Sequence, residues 1–336
     1  MWKWFNYVSK AAPPRKQILR LNLDETSVCL FQGNGRGNVF VAKRRAVQQV
    51  SRRKRRCCLT HVATICDNSG LQPLLPQVII GNAVAFPARR MVALRALCPP
   101  NVTLVRQKSA WVNAELFANI VHLIALAIRA WTYRFQPVLI MDTCRVHITQ
   151  TVLCACYRHG IWVVLVPSLT TWVLNPLDTH GFNKYKAQLQ DEYQAARIAA
   201  EGNEVDIEDF LRCIFRVIRN ILQGKRWSNA FDDNGFSLGQ TSTSSTLRAQ
   251  FGSRFPCDVS CERPSGEDIA RCFPRRAVVH TALLMKPFEI ETSREQAEIS
   301  TAASSAEFAV PRGRPLVPHR IVYRAAALAL SQRRAT

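Results

Sequence analysis

Residues 136–186 read QPVLIMDTCRVHITQTVLCACYRHGIWVVLVPSLTTWVLNPLDTHGFNKYK, a pattern of strand, helix, strand, loop and helix. Residues 137–141 are a short apolar run of strand type, and Asp142 stands where the run stops. Residues 149–158 suit a helix of two to three turns, ended by His159-Gly160. Residues 161–166 form a second buried strand, rich in β-branched side chains and stopped by Pro167. A carboxylate at the carboxyl end of a central strand lies on the edge where open α/β sheets carry their chemistry. A second carboxylate, Asp178, follows 36 residues later at the start of the next helix.

Upstream, residues 18–23 are a strand leading into Asp24-Glu25-Thr26, and residues 28–31 continue it. The glycine-rich turn at 33–38 and a return strand at 39–42 predict a hairpin. That turn lacks a GxGxxG or GKS pattern and no helix follows it, so it is not read as a phosphate loop. Residues 59–66 are the next strand, and residues 77–80 and 103–105 are shorter extended segments. Asn113 is placed to cap a long helix whose Leu116, Phe117, Ile120, Val121, Ile124 and Ala127 mark a buried face. Further helices are expected over 188–200 and 207–222. Three antiparallel strands followed by a βαβ unit give a mixed five-stranded sheet with helices on both faces. That is the ribonuclease-H-like arrangement, an α/β fold. The expected organisation is an extension at 1–17, the α/β domain at 18–238 and a basic, largely irregular tail at 239–336.

The 336 residues are 48% hydrophobic, enough for one large core plus an appendage, and carry a formal net charge of +21. So basic a chain points to a polyanionic partner and away from small-metabolite chemistry. The basic residues occur in runs and loops, which favours nucleic acid over membrane. Lys43, Arg44, Arg45, Arg52, Arg53, Lys54, Arg55 and Arg56 form two clusters, read as a DNA contact or nuclear-import signal, with a solvated loop as the alternative. The longest apolar helix, at 116–131, is broken by Asn119, His122 and Arg129 and is read as too short to span a bilayer. Twelve cysteines in a long chain without a signal peptide are expected as reduced thiols in cytosol or nucleus. Cys257, Cys261, Cys272 and His280 fit no tight zinc spacing and are read as free groups.

In a ribonuclease-H-like sheet the first strand lies beside the fourth, so Asp24 and Asp142 meet across 118 residues and Asp178 approaches from its helix. Three bare carboxylates in one pocket raise each other's pKa, and divalent metal relieves that repulsion. An all-oxygen donor set favours Mg²⁺ or Mn²⁺ over zinc. Two such ions about 4 Å apart suit phosphodiester cleavage.

Specific motifs accompany the acids. They are Asn22-Leu23-Asp24-Glu25-Thr26, Leu59-Thr60-His61-Val62 with Leu74-Leu75-Pro76-Gln77, and Met141-Asp142 followed by His147. Pro167, Thr170, Asn175-Pro176-Leu177-Asp178 and residues 182–186 come next, then Trp227, Ala230-Phe231 and Asn234-Gly235-Phe236. Together they resemble the DDE superfamily endonuclease domain of mariner/pogo-type transposases, the group with jerky-like and centromere-protein-like relatives, over residues 21–238. The resemblance implies a metal-binding catalytic triad of Asp24, Asp142 and Asp178 for DNA cleavage and strand transfer. Glu25 would be an auxiliary carboxylate, and His147 would contact substrate or orient Asp142. Lys184 and Lys186 would hold DNA, the protein would act in the nucleus, and a homodimer is a further partner arrangement.

Asn175 stands where that family usually has Gln, and Ser168 where a second Pro is common. About twenty residues precede Asp24, where such transposases carry helix-turn-helix domains, so the chain is read as a fragment, a truncated product or a domesticated descendant. The competing reading is a non-catalytic DNA-binding or chromatin protein on the same fold. Arg312 and Arg314, in Pro311-Arg312-Gly313-Arg314-Pro315, resemble an AT-hook core for the minor groove, a motif short enough to recur by chance.

Overall fold

The computed structural model describes residues 1–29, 58–201, 205–238, 245–251, 260–273 and 280–285. Its centre is an α/β sheet of six strands among those residues: β1 (Gln17–Cys29), β2 (Cys58–Cys66), β3 (Gln77–Gly81), β4 (Val102–Arg106), β5 (Phe135–Asp142) and β6 (Trp162–Val166). The spatial order is β4-β3-β2-β1-β5-β6. β2 runs antiparallel to β1 and β3, whereas β4 is parallel to β3, β5 to β1 and β6 to β5.

The expected five strands are therefore six. Two of them, β3 and β4, fall on residues 77–80 and 103–105, which read only as shorter extended segments. The pairing partner of β4, β3, lies beyond the intervening residues 82–101, so nothing local in five residues distinguishes a sheet edge from an extended loop. The expected hairpin turn at 33–38 and return strand at 39–42 lie outside the described residues. The antiparallel partner that β1 shows is β2, in register from Leu21 opposite Cys66 to Cys29 opposite Cys58.

β1 is buried on both faces, as a central strand with helices on each side must be. Leu19, Leu21 and Leu23 point one way, and Arg20, Asn22, Asp24 and Thr26 point the other, all buried. On the leucine side lie α3 (Ala114–Ile128) and α4 (Gln150–Arg158). Asn113 caps α3 as expected, its side chain accepting from Leu116 N at 2.8 Å. Leu116, Phe117, Ile120, Val121, Ile124 and Ile128 are its buried stripe. The segment Ala114–Trp131 has a mean hydropathy of 1.4 over 18 residues, long and apolar enough by composition to cross a membrane, a correction to its reading as too short. Here that apolar stripe is spent on the protein core.

The polar side is covered by α1 (Trp2–Ala11), α6 (Phe182–Ala199) and α8 (Ser228–Asp233). Between β3 and β4 in chain order lies the short α2 (Met91–Ala96), and α5 (Thr171–Leu174) and α7 (Ile207–Val217) flank α6. Trp4, Phe5 and Val8 are buried, and Phe5 meets Phe236 edge-to-face at 5.2 Å, so the first residues are part of the core. Beyond residue 239, the described pieces form α9 (Ser245–Phe251), α10 (Gly266–Ala270) and α11 (Thr281–Met285), with Leu247, Ile269 and Leu284 buried.

Arg20 ties the polar face together. Its Nε donates to Asp67 Oδ2 at 2.6 Å, and Nη1 donates to Asp232 Oδ1 and to the Phe236 carbonyl at 2.5 and 2.6 Å. The Arg20 and Asp67 side chains are only 6% and 11% exposed. Replacing Arg20 by Met strands a buried carboxylate and should cost about 3–5 kcal/mol of unfolding free energy. Urea denaturation followed by circular dichroism reads this directly; a loss below about 1 kcal/mol would show that the bridge is structurally idle.

Candidate active site

Two adjacent parallel strands bring the first pair of acids together. β1 and β5 pair from Gln17 opposite Phe135 to Asn22 opposite Ile140. The same offset, continued two residues, sets Asp24 level with Asp142 at the carboxyl edge of the sheet. Asp178 arrives from a turn of π-helix, Leu177–Gly181, immediately before α6. It is tethered through Asn22, whose Oδ1 accepts from Leu177 N at 3.0 Å while its Nδ2 donates to the Ile140 carbonyl at 2.8 Å. Asn22 thus stitches β1, β5 and the Asp178 turn together from a fully buried position.

Asn175 is the second stitch. Its Nδ2 donates to Asp24 Oδ2 at 2.6 Å and to Asp178 Oδ2 at 3.3 Å, and its Oδ1 accepts from Leu177 N at 3.2 Å. One buried amide therefore bridges two of the three acids. Asp24 also accepts from Glu25 N at 2.7 Å.

On the other face of β1, Glu25 and Asp142 are bridged by His147. The imidazole Nδ1 pairs with Asp142 Oδ1 at 2.5 Å, and Nε2 lies 3.0 and 3.1 Å from the two Glu25 oxygens. Phe117 packs against the ring with centroids 4.3 Å apart. Cys144 N donates to the same Asp142 oxygen at 3.0 Å. His147 is 0% exposed, its ring enclosed by Asp142, Glu25 and Phe117.

The electrostatics follow from this packing. Burial first, then repulsion from Asp178, Glu25 and Asp142, pushes Asp24 well above the ordinary carboxylate range. Asp178 is raised by burial and by Asp142, against the opposing charge of Lys186 and the Asn175 hydrogen bond. Burial works against charge on His147, yet hydrogen bonds and charges from Asp142 and Glu25 outweigh it and raise the imidazole pKa well above its ordinary value. Burial likewise opposes ionisation of Asp142, but His147 and Cys144 N hold its carboxyl below the usual value. Asp142 and His147 are an ion pair, whereas burial and mutual repulsion disfavour negative charge on Asp24 and Asp178.

The donor chemistry fits a hard divalent cation, since the oxygens are carboxylate and their mutual repulsion is what a cation would relieve. The side-chain arrangement is less receptive. Among the described residues no group of three or more His, Cys, Asp or Glu is arranged to hold a metal ion. Asn175 hydrogen-bonds to Asp24 and Asp178, and His147 to Asp142 and Glu25.

Of the other residues named from sequence, Lys184 and Lys186 lie exposed on α6, and the charge of Lys186 acts on Asp178. Lys43, Arg44, Arg45, Arg52, Arg53, Lys54, Arg55, Arg56, Arg312 and Arg314 lie outside the described residues. Cys261 and Cys272 are free thiols. Sequence reasoning gave no role to Asn22 or Asn175. Asn22 alternates with Asp24 on one face of a strand, and Asn175 stands three residues before Asp178. Those spacings were the available signals. Comparison with family models, characterised proteins and solved structures finds no match for this chain.

The His147–Asp142 pair sets a pH window. Its stabilisation is full between the ordinary carboxylate pKa of 3.8 and the ordinary imidazole pKa of 6.5. It is lost on the acid side as pH falls through the lowered Asp142 value, and on the alkaline side as pH rises through the raised His147 value. Asp24, also raised, loses stability in the same alkaline direction. Replacing His147 by Gln should lower the melting temperature at pH 5–6 and flatten its decline above pH 6.5. Melting curves for wild type and variant that stay parallel from pH 4 to 9 would contradict the pairing.

Proposed function

We propose that this chain is a ribonuclease-H-like, DDE-type nuclease domain of mariner/pogo transposase kind, cleaving and transferring DNA strands in the nucleus. The observation that carries the proposal is the convergence of Asp24, Asp142 and Asp178, from β1, the end of β5 and the segment after β6, on one sheet edge. The order β3-β2-β1-β5-β6, antiparallel in its first three members and parallel thereafter, supports the same reading, with β4 as an addition beyond β3.

Asp24, Asp142 and Asp178 would hold Mg²⁺ or Mn²⁺, as one ion or two. Such ions, when bound, polarise the scissile phosphate and stabilise charge on the attacking and leaving oxygens. Asn175 sets the spacing of Asp24 and Asp178. His147, as a buried cation, keeps Asp142 ionised and fixed in rotation, with Glu25 holding the far side of the ring. Lys184 and Lys186, on the rim, offset backbone phosphate charge. Function as a homodimer on DNA belongs to this proposal.

A second reading has its own observation. The Asn175 amide donates to both Asp24 and Asp178, which favours a domesticated, catalytically silent DNA-binding or chromatin protein on the same scaffold.

Nicking of supercoiled plasmid in Mg²⁺ and in Mn²⁺, with an EDTA control, separates the two. The nuclease reading expects metal-dependent nicking that Asp142→Ala reduces to background. Asn175→Ala should change the rate by roughly 10- to 100-fold, as loss of a ligand-orienting partner does. Salt-sensitive DNA binding by a wild-type chain that never nicks leaves the silent reading standing.

A further inference from the structure

Two exposed apolar side chains follow β6, Leu169 in the loop and Trp172 in α5, on the stretch that leads to Asn175 and Asp178. Leu169 is 90% exposed and Trp172 is 63% exposed. Leu169 also has φ of 66°, a left-handed conformation that a leucine rarely adopts. The turn is held there by its own hydrogen bonds. Thr170 N and Oγ1 both donate to the Pro167 carbonyl, at 3.2 and 2.7 Å, and the Trp172 indole donates to the Leu169 carbonyl at 3.0 Å. A solvated turn of this shape would suit Gly or Asn. Here a residue disfavoured by both its backbone and its exposure is kept in place.

Its position makes the choice informative. Ser168 Oγ lies 2.9 Å from Thr143 Oγ1, so the loop is pinned to the residue that follows Asp142. Trp172 stands three residues before Asn175, the group that bridges Asp24 and Asp178. Exposed cations share this edge, with Arg145 after β5 and Lys184 and Lys186 on α6. Apolar and aromatic tips within a cationic rim form the surface on which an unpaired base stacks while its phosphates are neutralised.

We propose that Leu169 and Trp172 form a base-stacking wedge that holds an unpaired nucleotide of a DNA strand at the carboxylate edge. The proposal rests on the DNA reading above and adds to it a preference for unpaired over duplex substrate. β4 runs the same way as β1, so the chain that leads on to Trp111, 81% exposed, leaves β4 at the same carboxyl edge of the sheet.

The test is a binding titration of the full chain in EDTA, so that its outcome is independent of cleavage. The probe is a single-stranded DNA oligonucleotide containing 2-aminopurine, compared with its blunt duplex at several salt concentrations. Wild type should bind the single strand more tightly and change the 2-aminopurine emission. Trp172→Ala should weaken single-strand binding roughly 10- to 100-fold and abolish the emission change, as loss of a stacking platform does. The salt slope should stay the same, because no phosphate contact is removed. Leu169→Asn suits the left-handed backbone, so it should melt no lower than wild type while still weakening single-strand binding. Variants that bind and report like wild type would overturn the wedge, as would absence of any emission change with wild type. Concentration-dependent dimerisation that Trp172→Ala abolishes, without effect on DNA binding, would overturn it in favour of a self-association surface. A chain that fails to nick plasmid can still pass this test, and a chain that nicks can still fail it.

Discussion

The parallel pairing of β1 with β5 is the constraint on which the candidate site depends. It joins segments 118 residues apart and sets Asp24 level with Asp142, with the register held from Gln17 opposite Phe135 to Asn22 opposite Ile140. Because the strand period is two, a slip of one residue would turn Asp24 toward α3 and put Leu23 or Glu25 in its place. The leucine face of β1, buried against α3 and α4, penalises that slip. Apolar packing on one side of the strand therefore decides which carboxylates meet on the other.

The site is a compromise between charge and burial. Four carboxylates lie within one another's field, and Asp24 is only 8% exposed. The protein offsets this with neutral donors and one cation: Asn175 for Asp24 and Asp178, and His147 for Asp142 and Glu25. Both devices orient the acids, and both occupy oxygens that a metal would need. The same geometry therefore supports catalysis, if the amide and the ring act as a scaffold around a cation, and silence, if they stand in for one. Such buried, connected polar networks carry large costs when only partly satisfied, which is why Asn22 and Asn175 are as fully enclosed as the leucines around them.

Around this cluster the surface has a different character. Lys186 acts on Asp178, Arg145 follows Asp142, and the Pro167–Thr170 turn presents an apolar tip held in a strained backbone. Carboxylates at the centre, positive charge on the rim and an aromatic at the margin are the features on which the proposed DNA reading rests. The formal net charge of +21 points the same way.

Local patterns were legible without coordinates. The strand ending at Asp142, the helix ended by His159-Gly160, the strand stopped by Pro167 and the Asn113 cap all depend on neighbours within a few residues, and each is where its periodicity or capping chemistry sets it. The acids could be named because carboxylates at strand ends are a local feature too. What remained hidden was pairing across distance. Val102–Arg106 becomes a sixth strand only because β3 lies beside it. His147, in the turn after β5, is fully buried with Phe117 of α3 packed on its ring. Asn175 meets Asp24 from 151 positions away, and its spacing from Asp178 says nothing of that second contact. Secondary structure follows from short-range propensity and periodicity, whereas partners, burial and pKa follow from which faces the folded chain presses together.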